Sequence, residues 1–204
     1  MLLPINIICK DWAEYRKTIL VLTAGMFLPL LFGGLSTDFA RGTMAGVLIG
    51  ASYGYAQFVF VFERQRGTLQ LLLSLPVRPI DLVLAKYASL YSMVLFTINV
   101  PGIFFGDLRT LLLVNACGLI VSTICMTFTV ISDKPWAPMI PLYVVLIFFM
   151  PVRTILERFY PAGLGLLHFL TSHLIWLAAF AIVLAPMIAV ASAFWFHRRL
   201  TYAD

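Results

Sequence analysis

The sequence predicts an all-α polytopic membrane protein with six transmembrane helices. Three observations carry this. Apolar residues make up 62% of the 204-residue chain, against about 45–50% in a soluble domain. Charged residues make up 11%, against about 25%, and mean hydropathy is +0.99. A soluble domain of this size has too little interior for that much apolar surface, and a disordered chain would be poor in apolar residues. Finally, the apolar residues fall in charge-free runs long enough to cross hydrocarbon, which takes about 20 helical residues.

The runs free of Asp, Glu, Lys and Arg are Thr18–Thr37, Gly42–Phe62, Tyr87–Gly106, Thr110–Ser132, Pro135–Val152 and Leu174–Phe196. Allowing for helix starts, the expected spans are about 18–37, 42–62, 82–106, 110–132, 135–152 and 174–196, in one transmembrane domain covering 1–204. The fifth opens on Pro135, Pro138 and Pro141, so it reads as a short span or one with an irregular entry. The first run is longer than a secretory-signal core and no small-residue cleavage site follows it, so it is expected to be retained.

Six spans put both termini on one side, and Lys and Arg decide which. With cytoplasmic termini the inner set is Lys10, Arg16, Lys17, Arg64, Arg66, Arg78, Lys86, Lys134, Arg198 and Arg199, and the outer set is Arg41, Arg109, Arg153 and Arg158. The bias places the chain in a cell membrane, inner or plasma, with both termini cytoplasmic. The net charge of +5 is thereby a matter of topology and gives no reason to expect nucleic acid.

The segment before the first span is amphipathic. Ile5, Ile8, Trp12, Tyr15 and Ile19 recur at helical intervals, with Asn6, Lys10, Glu14 and Lys17 opposite. That periodicity predicts an interfacial helix over about 5–17. Residues 153–173 pair Arg153 with Glu157, break at Pro161, Gly163 and Gly165, and end in a short apolar run. They read as outer re-entrant or interfacial helices before the last span.

Chemistry is sparse. No phosphate-cradling glycine loop and no His-Glu-x-x-His occurs. His168 and His173 do not share a helix face as a metal pair, and Cys117 and Cys125 read as small apolar packers. Catalytic, metal and cofactor residues are therefore none, and the chain is not expected to be an enzyme. The spans carry no ionisable group at mid-depth, which ion-coupled carriers usually need. Gly42, Gly46, Gly50 and Gly54 recur every four residues on the second span, a face open to close helix approach. Gly46, Gly50, Gly54, Gln57 and Asn99 are the candidates for a pathway or a dimer seam. Asn99 reads more readily as a partner in a helix-to-helix hydrogen bond.

The most informative stretch links the second and third spans. Glu63, Arg64 and Arg66 are expected to end the second span at the surface. Leu69, Leu71, Leu72, Leu73 and Leu75 then fill a short helix on nearly all sides, Pro76 and Pro79 stop it, and Asp81 is placed to cap the next span. A cytoplasmic helix apolar all round needs cover on both sides. One side can rest on the membrane domain, and the other predicts a protein partner.

The run Glu63-Arg64-x-Arg66-Gly67-Thr68-Leu69, then Leu71-Leu72-Leu73-Ser74-x-Pro76, followed by a span starting near Leu82-x-Leu84-x-Lys86, resembles the ABC type-2 transporter permeases. Gln70 departs from that pattern, which usually has Glu there. The resemblance implies an exporter subunit that forms the translocation pathway with a second permease chain, identical or homologous. Two separate ATPase subunits would bind ATP and Mg and dock from the cytoplasm. It makes 5–17 an elbow helix and 67–75 a coupling helix, and implies ATPase contact through Glu63, Arg64, Arg66, Gly67, Thr68, Leu69, Gln70, Leu72, Leu73 and Pro76. The alternative from the residues alone is a passive channel or ion-coupled carrier without an ATPase partner.

Overall fold

The computed structural model describes residues 3–31, 50–74, 76–102, 108–132, 134, 136–137, 139–140 and 174–201. Among them the regular structure is helical, with no strand. Helix α1 is Leu3–Leu31. Helix α2 is described over 50–65 and contains a π turn, Gln57–Phe62. Helix α3 is Thr68–Ser74, α4 is Pro79–Gly102, α5 is Leu108–Ile131 and α6 is Leu174–Thr201.

Two stretches, Pro79–Pro101 of α4 and Ala179–Leu200 of α6, are long and apolar enough to cross a membrane, and Asn115–Ile131 of α5 is a shorter apolar run. Most of the expected fifth span, the outer segment 153–173, and the adjoining ends of the first two spans lie outside the described residues. One boundary differs from expectation. The segment 5–17 and the start of the first span form one uninterrupted helix, because neither Gly nor Pro falls between Ile5 and Ala24 to break it.

Helix α4 lies at the centre and packs against α1, α5 and α6. Helix α6 meets its neighbours through Ala181, Ala185, Ala189 and Ala193, all buried at intervals of four. Small side chains let apolar helices approach closely, and hydroxyls then bond across the seam. Tyr87 shares hydrogen bonds with Thr127 at 2.9 Å and Ser192 at 2.8 Å, joining α4, α5 and α6. One turn on, Tyr91 bonds Thr123 at 2.7 Å and donates to the Ala185 carbonyl at 3.2 Å.

Candidate functional site

The α2–α3–α4 connection is built on a glycine. Gly67 has φ +73°, a left-handed conformation that a side chain makes costly. Its N–H donates to the Arg64 carbonyl at 3.2 Å, closing the end of α2. Its own carbonyl accepts from the N–H groups of Gln70 at 3.1 Å and Leu71 at 3.3 Å, opening α3. Helix α3 then has two faces. Leu69 is buried, and Leu72 and Leu73 are partly buried against the core. Gln70 and Ser74 are exposed, and Leu71 is 69% exposed. Leu75 lies outside the described residues. Asp81 is not the N-cap of α4. It sits in the first turn, where a carboxylate suits the helix dipole, and takes Arg78 in a two-pronged pair at 2.8 and 3.1 Å.

Beneath this connection the structure departs most from expectation. Glu63 does not end α2 at the surface; it is 2% exposed. The π turn just before it widens the helix by one residue per turn, and such turns re-aim the side chains that follow. Tyr15 of α1 stacks on Phe58 and donates its hydroxyl to the Phe58 carbonyl at 2.8 Å, fastening the π turn to α1. Glu63 Oε2 lies 2.8 Å from Lys86 Nζ, and Lys86 Nζ lies 2.7 Å from Asp11 Oδ1. Lys10 pairs with the other Glu63 oxygen. Arg66 Nη1, beyond the fold, reaches Glu14 Oε1 at 2.8 Å. Lys10, Asp11, Glu14, Glu63, Arg66 and Lys86 thus join α1, α2 and α4 with balanced charge. Each buried ion needs that balance, because removing a charge from water costs several kcal/mol. Burial still pushes the Asp11 carboxyl above its ordinary value, with Lys86 pulling it the other way.

The expected ATPase-contact residues therefore divide. Arg66, Gln70 and Pro76 are exposed; Arg64, Gly67, Thr68, Leu72 and Leu73 are half-buried; Glu63 and Leu69 face inward. Arg64 turns away from α3 and caps the end of α5 by donating to the Ser132 carbonyl at 3.0 Å. Among the pathway or seam candidates, Gly46 lies outside the described residues. A Cβ added at Gly50 would meet no atom within 4 Å, and one at Gly54 only the Phe58 ring at 3.8 Å. No described helix therefore closes on that face. Gln57 is buried and donates to the Tyr53 hydroxyl at 3.1 Å. Asn99 and Asn115 exchange amide hydrogen bonds at 3.2 and 2.9 Å between α4 and α5.

Asp11 is the residue that the sequence reading passed over. Its signal was positional: Ile7, Asp11, Tyr15 and Ile19 recur every four residues and are all buried. Among the described residues no three His, Cys, Asp or Glu side chains gather as a metal site. Comparison of the chain with protein-family models, curated proteins and solved structures gives no match.

Proposed function

We propose that this chain is the membrane-spanning permease subunit of an ATP-binding-cassette exporter, paired with a second permease and driven by two separate ATPase subunits. It sits in the cell membrane with both termini cytoplasmic, and ATP and Mg are bound by the partner. The observation that carries this reading is α3, a two-turn helix with Leu69 anchored inward and Leu71 projecting outward, next to the Glu63–Pro76 motif. An exposed leucine beside exposed Gln70 and Arg66 gives a partner groove both apolar contact and polar registration. The ion network ties Glu63 and Arg66, from which α3 continues, to α1 and α4, so a push on α3 would be passed to those helices. Co-purification from native membranes with mass spectrometry of bound protein tests the proposal. Recovery of an ATPase subunit is expected; its absence, with ATP-independent flux in vesicles, overturns it.

One observation favours a second reading. Asp11, Glu63 and Lys86 are buried ionisable groups of the kind an ion-coupled carrier uses. Flux in ATPase-free vesicles that follows an imposed proton gradient would select that reading.

A further inference from the structure

We infer that the joined ends of α5 and α6 form a binding site for an anionic phospholipid, with a cationic headgroup seat and an apolar groove for one acyl chain. The inference rests on the membrane reading of the chain and not on its transport role.

The seat is organised around the end of α5. Arg199 donates to the Ile131 carbonyl at 3.1 Å and Arg64 to the Ser132 carbonyl at 3.0 Å. These two cations satisfy carbonyls that a helix end leaves open. The Arg199 bond holds the α6 terminus against the end of α5, and the Arg64 bond holds α2 there as well. Lys134 follows two residues on, its N–H donating to Ser132 Oγ at 3.2 Å. Lys134 and Arg198 are both exposed there, and no described carboxylate lies within ion-pair distance of either. Asp133, the nearest acidic residue in sequence, lies outside the described residues. Two tryptophans flank the cations. Lys134 lies 5.3 Å above the Trp136 ring, and Arg199 lies 5.6 Å from the Trp195 ring. Trp136 is 51% and Trp195 41% exposed. Exposed Trp beside exposed Lys and Arg is the chemistry of headgroup depth, where an indole suits the ester region and a cation suits a phosphodiester.

The groove lies on the same helix, about two turns before the seat. Ile182, Val183, Pro186, Met187, Val190 and Ala191 line a shallow apolar groove of about 620 Å³ on the outer side of α6. Met187, Ala191, Phe194 and Arg198 follow one another at intervals of four, three and four, so they share one helix face. A chain lying along that face runs from Met187 to Arg198, about 16 Å at 1.5 Å per residue. A headgroup phosphate at Arg198 thus stands above an acyl chain in the groove. Neutral lipid satisfies the groove alone; anionic lipid satisfies both parts.

The test uses the full chain, purified in detergent, with native mass spectrometry and thermal unfolding. Phosphatidylglycerol is compared with phosphatidylcholine of the same chains, with short-chain phosphatidylglycerol and with inorganic phosphate. Phosphatidylglycerol is expected to be retained preferentially and to raise the unfolding temperature. In a Lys134→Gln/Arg198→Gln variant that preference falls by about tenfold or more, from two lost surface cations. The control Arg16→Gln/Lys17→Gln removes two exposed charges of α1 and keeps the preference. Equal binding of the two lipids, equal loss in the control, or the full shift with phosphate alone overturns the site. Short-chain lipid binding as tightly as long-chain lipid overturns the groove. A seat variant that keeps its lipid preference and loses only a co-purified protein would reassign the surface to that protein. Carbonate extraction of the chain from membranes reads the membrane assignment separately.

Discussion

Lys86 Nζ lies 2.7 Å from Asp11 Oδ1 with neither side chain exposed. The pair joins α4 to α1 at the level where α2 delivers Glu63, so one ammonium serves two carboxylates from two helices. Substituting Lys86→Met leaves both carboxylates short of a partner. Breaking a buried pair by removing one member costs about 3–5 kcal/mol, and thermal unfolding in detergent should show a loss of that order. Adding Asp11→Asn to the same chain should recover part of it, since Lys10 still serves Glu63. A double variant no better than Lys86→Met would mean that Asp11 does not depend on Lys86.

The same pair predicts a pH dependence. Burial holds the Asp11 carboxyl above its ordinary value of 3.8, against the pull of Lys86. A carboxyl raised in the folded state binds its proton more readily there than in the unfolded chain. Its stabilising contribution is therefore complete below 3.8 and is lost as pH rises through the raised value. Asp11→Asn cannot titrate. Wild-type protein should thus lose stability relative to Asp11→Asn as pH rises from about 4. Parallel unfolding curves of the two proteins across that range would contradict the assignment.

Gly67 isolates the turn between α2 and α3. A Cβ there meets no atom within 4 Å, so the cost of Gly67→Ala is conformational alone. A left-handed residue with a side chain costs about 1–2 kcal/mol. Gly67→Asn should cost less, because Asn tolerates that region. Unfolding temperatures in the order glycine, asparagine, alanine are expected; alanine equal to glycine would show that the turn is not held left-handed.

Asn99 and Asn115 form a reciprocal amide pair between α4 and α5. Interhelical hydrogen bonds in membranes average about 0.6 kcal/mol and reach about 1.7. A double-mutant cycle with Asn99→Ala and Asn115→Ala should give a coupling within that range. Purely additive losses would deny the pair.

Much of the helix layout was legible because apolar run length and proline placement are local properties. The expected spans 82–106, 110–132 and 174–196 lie close to Pro79–Gly102, Leu108–Ile131 and Leu174–Thr201. The ion network was not legible. Lys10, Asp11, Glu14, Glu63 and Arg66 sit in charge-rich sequence, where a solvated surface is the ordinary reading. Only the pairing of α1 with α4, and the π turn before Glu63, turn Asp11 and Glu63 inward, with Lys10, Glu14 and Arg66 gathered at the rim. The short helix was found at 67–75 and runs Thr68–Ser74. Its inward and outward faces were hidden, because leucines at 69, 71, 72 and 73 give the pattern no polar contrast.

That hidden asymmetry decides which substitution tests energy coupling. Leu72 is partly buried against the core, so Leu72→Asp damages the chain's own packing together with any docking. Leu71 is 69% exposed, and an aspartate there meets water in the isolated permease. Surface substitutions away from special features stay within about 0.5 kcal/mol, so Leu71→Asp should insert, purify and unfold as the wild type does. Docked in an ATPase groove, the same carboxylate would be desolvated without a partner. Loss of an interface hot spot costs about 2 kcal/mol or more, and binding should fall by more than tenfold. Pull-down of the ATPase subunit and ATP-driven efflux from vesicles should fall together in Leu71→Asp, while unfolding temperature stays fixed. Leu72→Asp should lower all three. Normal recruitment and efflux in Leu71→Asp would remove α3 from the docking role and leave the exposed leucine without a partner.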